Sequence, residues 1–351
     1  MADTMRAAVV YKREGRKRIE VRDVPIPQPG PGEVLVRVGR VGLCGSDVHG
    51  FFDPDGTSRA EGLIMGHEAG GHVAALGEGV TGPAVGAPVA LDPQVACGTC
   101  PQCRSGLVSI CDNKQVIGSS LRGFRHGALA EYIAVPARQV HPIPDTMSMA
   151  DAASIEPLAN AAHAVRRAAL AGDETVAVIG AGAIGLCLVQ LLRSRVTGLV
   201  IATDVSASHL RLASELGADV TVNALEEDVV QVLREKTGGQ GVPVVFEAVG
   251  IDATYTQAIG AVRKRGTVIA FGAVQDTVTV PLLPILHKEI SIVGSTGANE
   301  ETAEAVALAA TGAVDLRPLV THIFPLDKAE EAFEAARGAA AIGAIKVQVE
   351  V

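Results

Sequence analysis

The sequence predicts an α/β protein of two domains, a β-rich first domain and a second built on a doubly wound parallel sheet. Three observations predict it. At 351 residues the chain exceeds what one ordinary hydrophobic core fills. Over residues 5–143, short β-like runs are punctuated by Gly and Pro. From Thr175 onward, apolar strand runs alternate with amphipathic helices, and that alternation implies parallel pairing.

The first domain is expected to contain strands at 7–10, 33–38, 86–91 and 132–135. In the second, strand candidates at 176–179, 199–203, 242–247, 267–271 and 290–293 are separated by helical stretches such as 206–216 and 252–263. After about Gly297 the alternation stops. Helices at 301–310 and 326–337 and a last strand at 345–351 then return the chain to the first domain. The expected division is therefore 1–154, 155–296 and 297–351.

Composition narrows the function classes. Apolar residues at 48% and charged residues at 20% place the chain among ordered globular proteins. With aromatics at 3% and no Trp, its core must be built from Ala, Val, Leu and Ile. A net charge of −9, with no basic run beyond residues 12–18, excludes a nucleic-acid partner. Residues 1–11 lack the pattern of an export signal, which suggests a reducing cytoplasm. Six cysteines there are expected as metal ligands or buried thiols rather than disulfides. Residues 176–192 are almost wholly apolar, but Gly180, Gly182 and Gly185 break the run, so a strand, turn and helix are expected and no membrane span.

Four of the cysteines, Cys97, Cys100, Cys103 and Cys111, form C-x2-C-x2-C-x7-C in Gly-, Pro- and Ser-containing sequence unsuited to a regular element. Four thiolates in one loop close a tetrahedron around Zn²⁺, and a loop without its own core needs such a cross-link. An iron-sulfur cluster or disulfides are the alternatives, but the ferredoxin run places three residues, not seven, before its last cysteine. A closed four-cysteine site leaves no position for substrate, so this zinc would be structural.

A second set is more open. Cys44 lies in Leu43-Cys44-Gly45-Ser46-Asp47-Val48-His49, and His67-Glu68 follows twenty-three residues on. A thiolate, an imidazole and a carboxylate leave a fourth position for water or substrate, which is the catalytic arrangement. Taken singly, each residue also suits a small buried hydrophobe or a hydrogen-bonded loop.

The context is a dinucleotide fingerprint. Gly180-Ala181-Gly182-Ala183-Ile184-Gly185 is G-x-G-x-x-G directly after a β run and opening a helix, with Asp204 nineteen residues beyond the last glycine. The glycines permit the tight turn and close approach of pyrophosphate, and the helix N-terminus attracts the phosphates. Asp204 would accept hydrogen bonds from a ribose 2′-OH and repel a 2′-phosphate, so NAD is favoured over NADP. As Asp204-Val205-Ser206 it also suits a helix cap.

Together these motifs resemble the zinc-containing medium-chain dehydrogenase/reductase family, in its sorbitol, butanediol and threonine dehydrogenase branch, over essentially the full length. The resemblance implies a GroES-like β domain, then a Rossmann domain with a six-stranded parallel sheet, and two zinc ions per chain. It implies that Cys44, His67 and Glu68 hold the catalytic zinc. Glu156, in Ile155-Glu156-Pro157-Leu158, would be a further ligand or hold the zinc water, although it also suits a helix N-terminus. Ser46 and His49 would relay the alcohol proton to water. Val249, Gly250, Phe271 and Gly272 would line the adenine and nicotinamide sides of the cofactor groove, and Lys346 would reach the pyrophosphate.

The implied reaction is reversible, NAD-linked oxidation of a secondary alcohol to its ketone. Where sorbitol dehydrogenases tend to carry an Arg-Tyr pair, this chain reads Ile292-Val293-Gly294-Ser295-Thr296-Gly297, and Gly50-Phe51-Phe52 makes the approach to zinc apolar. A compact alcohol or vicinal diol of the 2,3-butanediol type is therefore expected over a hexitol, with L-threonine as the other alternative. A zinc-free NADPH quinone or alkene reductase is disfavoured by the cysteine lobe and Asp204. A non-catalytic role is disfavoured by the joint presence of ligands and relay. The apolar strand at 290–293 is expected at a sheet edge and predicts a homodimer or a homotetramer of such dimers.

Overall fold

In the computed structural model, residues 3–53 and 56–351 are described. The chain divides into two compact units, one comprising residues up to Glu156 together with Ala298–Val351, the other Pro157–Gly297.

The first unit opens with an antiparallel hairpin of β1 (Thr4–Arg13) and β2 (Arg16–Pro25). Glu14 and Gly15 both take positive φ, at 52° and 76°, as a two-residue turn matched to strand twist requires. The basic run at 12–18 is this hairpin's tip, and Lys17 within it is buried, donating to the carbonyls of Gly50, Asp53 and Gly56 at 2.7–2.9 Å. Next come β3 (Glu33–Gly42), α1 (Gly45–Phe52), β4 (Glu68–Leu76), β5 (Pro88–Leu91) and β6 (Gln94–Val95). The short helix α2 (Pro101–Arg104) follows, then β7 (Gln115–Val116), β8 (Tyr132–Pro136), β9 (Val140–Pro142) and α3 (Met149–Ala152), and α4 (Ile155–Ala168) starts at the end of this unit, its residues from Pro157 onward belonging to the second.

The second unit is a six-stranded parallel sheet in the order β12-β11-β10-β13-β14-β15. Its strands are β10 (Val176–Ile179), β11 (Val200–Asp204), β12 (Val220–Asn223), β13 (Val242–Glu247), β14 (Val262–Ala270) and β15 (Ser291–Gly294). The helices are α5 (Ala183–Arg193), α6 (Ala207–Glu215), α7 (Val229–Glu235), α8 (Asp252–Ala261) and α9 (Leu282–Lys288). Continuous apolar runs such as Val-Ala-Val-Ile in β10 are fully buried, as strands covered on both faces must be. The order reverses between β10 and β13, which is where ligands bind in such sheets.

The chain then returns. α10 (Glu301–Ala310), α11 (Ala329–Arg337) and α12 (Ala339–Ile342) accompany β16 (Val320–Pro325) and β17 (Lys346–Glu350). The first unit's sheet runs β16-β17-β3-β4-β5-β9, with β8 also paired to β3.

Four expectations shift. β12 was not among the strand candidates; it has four residues, only one of them fully buried, so its apolar signal is weak. Helix 252–263 ends at Ala261, because Val262 leaves the helical conformation and starts β14. The helix expected at 326–337 is a 3-10 turn at Leu326–Lys328 followed by α11. Strand 86–91 shortens to β5, since Gly86 has φ 88°. No helix among the described residues is long and apolar enough to cross a membrane, and residues 176–192 are β10, a turn and most of α5.

Candidate active site

The cysteine lobe has almost no core of its own. Its apolar cluster is Ala96, Cys100 and Cys111, with Cys97, Cys103 and Val108 packed on it. The sulfurs are separated by 3.5 Å for Cys97–Cys111, 3.9 Å for Cys100–Cys111 and 4.0 Å for Cys97–Cys103. A ZnS₄ tetrahedron with bonds of about 2.3 Å has edges of about 3.8 Å. The backbone supplies donors to the sulfurs, from Cys97 N to Cys111, Cys100 N to Cys97 and Cys103 N to Cys100, at 3.3–3.4 Å. Donation from Thr99 and Cys100 pulls the Cys97 thiol down to about 5, whereas burial pushes Cys103 up to about 12. The four ligand atoms lie within 4.8 Å of one another, and all four thiols are free of disulfides.

The second group is assembled by strand pairing. β3 and β4 are antiparallel with Gly42 opposite Glu68, so Cys44, two residues past Gly42, meets His67 and Glu68 at the start of β4. Their ligand atoms also lie within 4.8 Å of one another. Gly42 must lack a side chain, because a Cβ there would stand 2.2 Å from Glu68 Oε2.

Asp47 orients the imidazole. It is wholly buried on α1, and its Oδ2 faces His67 Nδ1 at 3.1 Å, neither atom having another partner among the described residues. Its Oδ1 accepts from Arg59 Nη2 at 2.9 Å and Nε at 3.2 Å. Burial alone would raise the Asp47 carboxyl, but His67 and Arg59 outweigh it and hold the group well below the usual carboxylate range. The carboxylate in turn lifts His67 well above an ordinary imidazole against the effect of burial. A proton so held on Nδ1 leaves the Nε2 lone pair for a metal.

Lys346 is a correction. Expected at a pyrophosphate, its ammonium is buried against Glu68, at 2.7 Å from Oε2 and 2.8 Å from Oε1, and donates to Leu43 O at 3.3 Å. The cause is register. β17 pairs with β3 so that Gln348 opposes Gly42, the residue that also opposes Glu68, and Lys346 falls on the same side of β17. Burial works to deprotonate this lysine, but Glu68 and Cys44, with Glu156 behind them, keep it charged. Replacing Lys346 with Met leaves Glu68 as an unpaired buried charge, a loss expected to cost about 3–5 kcal/mol. Differential scanning calorimetry should show the melting temperature falling further in zinc-stripped than in zinc-loaded protein, since a cation near Glu68 replaces part of the lost charge.

The remaining expected residues are distributed as follows. Glu156 is buried in the first turn of α4 but stands outside the 4.8 Å ligand group. Ser46 and His49 are exposed on α1, three residues apart and so on one side of the helix. Phe51 does not leave an apolar approach open: it is buried with its ring 5.1 Å from that of Phe333, while Phe52 lies under Arg337.

In the second unit, Gly180 (φ 98°), Gly182 and Gly185 make the turn from β10 into α5, whose first turn carries Ala183 and Ile184. A Cβ on Gly185 would lie 1.8 Å from Gly180 O, whereas one on Gly182 would meet nothing within 4 Å. That open space is what a phosphate needs for close approach. Asp204 ends β11. Its Oδ2 accepts from Ala181 N at 2.7 Å and its Oδ1 from Ser206 N at 2.8 Å. Ser206, not Asp204, caps α6. Val249, Gly250, Phe271 and Gly272 follow the carboxyl ends of β13 and β14.

Sequence reasoning passed over Asp47, Arg59 and the role of Lys346. A carboxylate three residues from Cys44 was the available signal, because metal-binding histidines take such partners.

Residues 30–145 match the alcohol dehydrogenase GroES-like domain family, and residues 183–311 match the zinc-binding dehydrogenase family. A sorbitol dehydrogenase of Gallus gallus is 36% identical over 339 residues, covering 93% of this chain and 92% of its own. The chain belongs to the zinc-binding dehydrogenase family. Further similarity is to an L-threonine 3-dehydrogenase of Pyrococcus horikoshii, 35% identical over 324 residues with coverage of 91% and 92%. Among solved structures, a zinc-binding dehydrogenase from Sinorhizobium meliloti 1021 bound to NADP superposes with a TM-score of 0.89 at 34% identity, covering both chains fully. A 2R,3R-butanediol dehydrogenase from Bacillus subtilis gives 0.86 at 28% identity, with 99% of both chains covered. As a member of this family the chain is an oxidoreductase acting on CH–OH groups of small molecules, with GroES-like and Rossmann-type parts.

Proposed function

We propose that this dehydrogenase uses zinc and NAD to oxidise a small secondary alcohol or vicinal diol to its ketone, reversibly, in the cytoplasm. The observation that carries the reading is the three-ligand group of half-buried Cys44 with buried His67 and Glu68, His67 being aligned by Asp47. Cys44, His67 through Nε2, and Glu68 would hold the catalytic ion, and Cys97, Cys100, Cys103 and Cys111 a structural one. A zinc ion in the first set supplies a Lewis acid that lowers the pKa of an alcohol hydroxyl at the open position.

The chain's own residues do the rest. Asp47 retains the Nδ1 proton and fixes the imidazole plane. Lys346 offsets the charge of two anionic ligands by pairing with Glu68. Ser46 accepts the hydroxyl proton as it gives up its own, and His49, three residues further along α1, delivers the released proton to solvent. Glu156 holds water near the open position. The N-terminus of α5 and the space at Gly182 receive the pyrophosphate, and Asp204 accepts the ribose hydroxyls through lone pairs that Ala181 N and Ser206 N leave unused.

The substrate reading rests on Ile292 to Gly297, which offers no Arg-Tyr pair for a long polyol. A panel of secondary alcohols, diols, polyols and L-threonine, each with NAD and NADP, tests it. A vicinal diol with NAD should give the highest kcat/KM. Preference for a hexitol or L-threonine would replace the substrate, preference for NADP would overturn the role of Asp204, and turnover surviving removal of zinc would overturn the mechanism.

A symmetric homodimer through β15, or a homotetramer of such dimers, is part of the proposal. β15 is the sheet edge with Ile292 44% exposed, and Leu282, Leu283 and Leu286 on α9 are 58–63% exposed. Sedimentation velocity at micromolar concentration should show a dimer or larger and Leu286→Glu should shift it toward monomer; a monomeric parent would refute the assembly.

A further inference from the structure

The doubly wound sheet divides dinucleotide binding between two halves. β10, β11 and β12, with the glycine turn and Asp204, form the first half; β13, β14 and β15 form the second, which by this division faces the nicotinamide mononucleotide. At the end of β13 lies Glu247, a carboxylate with no solvent exposure.

One residue ties two turns together there. The Oε1 of Glu247 accepts from Val249 N at 3.0 Å and Gly250 N at 2.8 Å. Its main-chain oxygen accepts from Phe271 N at 3.0 Å and Gly272 N at 2.8 Å. The two turns press on each other so closely that a Cβ on Gly250 would lie 2.3 Å from Ala273 N, and one on Gly272 would lie 2.3 Å from Gly250 N. Gly250 is held at φ 93°.

The other carboxylate oxygen, Oε2, is buried without a hydrogen-bond partner among the described residues. Tyr255, in the first turns of α8, donates its hydroxyl to Gly272 O at 3.2 Å beside that carboxylate. Burial and the Glu247 charge together push the phenol up to about 12. A fully buried carboxylate is costly, and packing alone is served better by an apolar residue. What the carboxylate provides, and an apolar residue cannot, is a fixed direction for the Val249 and Gly250 peptide groups.

We propose that Glu247, with Tyr255, is a positioning pair that holds the 249–250 and 271–273 turns in the conformation that receives the nicotinamide half of the dinucleotide. This rests on reading the second unit as a dinucleotide site. Because AMP probes the first half alone, the two ideas are separable.

The test is isothermal titration calorimetry of NADH and of AMP on the full-length, zinc-loaded protein, its Glu247→Gln variant and its Tyr255→Phe variant. Glu247→Gln should weaken NADH by about 10–100-fold, the scale of a lost charge-assisted hydrogen bond, while AMP stays within about twofold. Tyr255→Phe should weaken NADH selectively but less. A phenolate absorbance titration, with Tyr255 isolated by difference against Tyr255→Phe, should move to lower pH in Glu247→Gln. Equal weakening of NADH and AMP would make the pair merely structural and overturn the proposal, as would unchanged NADH affinity. Should Glu247→Gln fail to fold, Tyr255→Phe carries the same comparison. A parent protein that binds neither ligand would overturn the dinucleotide reading as well.

Discussion

Replacing His67 with Ala is expected to lower kcat/KM for alcohol oxidation by on the order of 10⁴-fold, since several kcal/mol of charge stabilisation by a metal is lost at about 1.4 kcal/mol per tenfold. Metal analysis should fall from two zinc ions per chain to one. The substitution also strips Asp47 of one of its two partners, leaving a buried carboxylate held by Arg59 alone. Asp47→Asn separates these effects. It keeps the shape but no longer holds the Nδ1 proton by charge, and should weaken zinc binding by about 10–100-fold without emptying the site of ligands. Full activity in His67→Ala would remove the catalytic-zinc reading and favour a zinc-free reductase or a non-catalytic role.

Replacing Cys103 with Ser should act on stability instead of chemistry. The lobe is held by its sulfurs, with only Ala96 and Val108 as other apolar partners in its cluster. Losing a metal cross-link there is expected to cost about 3 kcal/mol, or a fall in melting temperature of about 6–12 °C for a unit of this size. Limited proteolysis should cut first between Arg104 and Asp112, and one zinc ion per chain should be lost while Cys44 and His67 keep theirs. An unchanged melting temperature with two zinc ions retained would exclude a structural metal in the lobe.

The two experiments probe features of different legibility. The lobe's ligands lie within fifteen residues, so local chain geometry suffices to bring them together and C-x2-C-x2-C-x7-C carries the information. The G-x-G-x-x-G turn is equally local: strand, turn and helix follow one another, and Gly185 and Gly182 differ in role only by what surrounds them. Cys44 and His67-Glu68 are twenty-three residues apart, and only the β3–β4 register makes them neighbours. Phe51 illustrates the reverse error. An aromatic residue near the metal set reads as pocket lining in sequence, yet its ring packs against Phe333 from the far end of the chain.

By itself, then, the sequence determined those features whose cause is local: the change from β-rich to alternating texture, the four-cysteine loop, the phosphate turn with its acidic residue, and the family resemblance that these carry. Tertiary structure alone decided which charges meet. It placed Asp47 on His67 and Arg59 on Asp47, and it set Glu247 at the end of β13 beside Tyr255 of α8. It also turned Lys346 from an expected phosphate contact into the buried partner of Glu68, a pair 278 residues apart. The physical reason is that a buried charge is tolerated only beside its partner, and strand register, which spans hundreds of residues, chooses that partner.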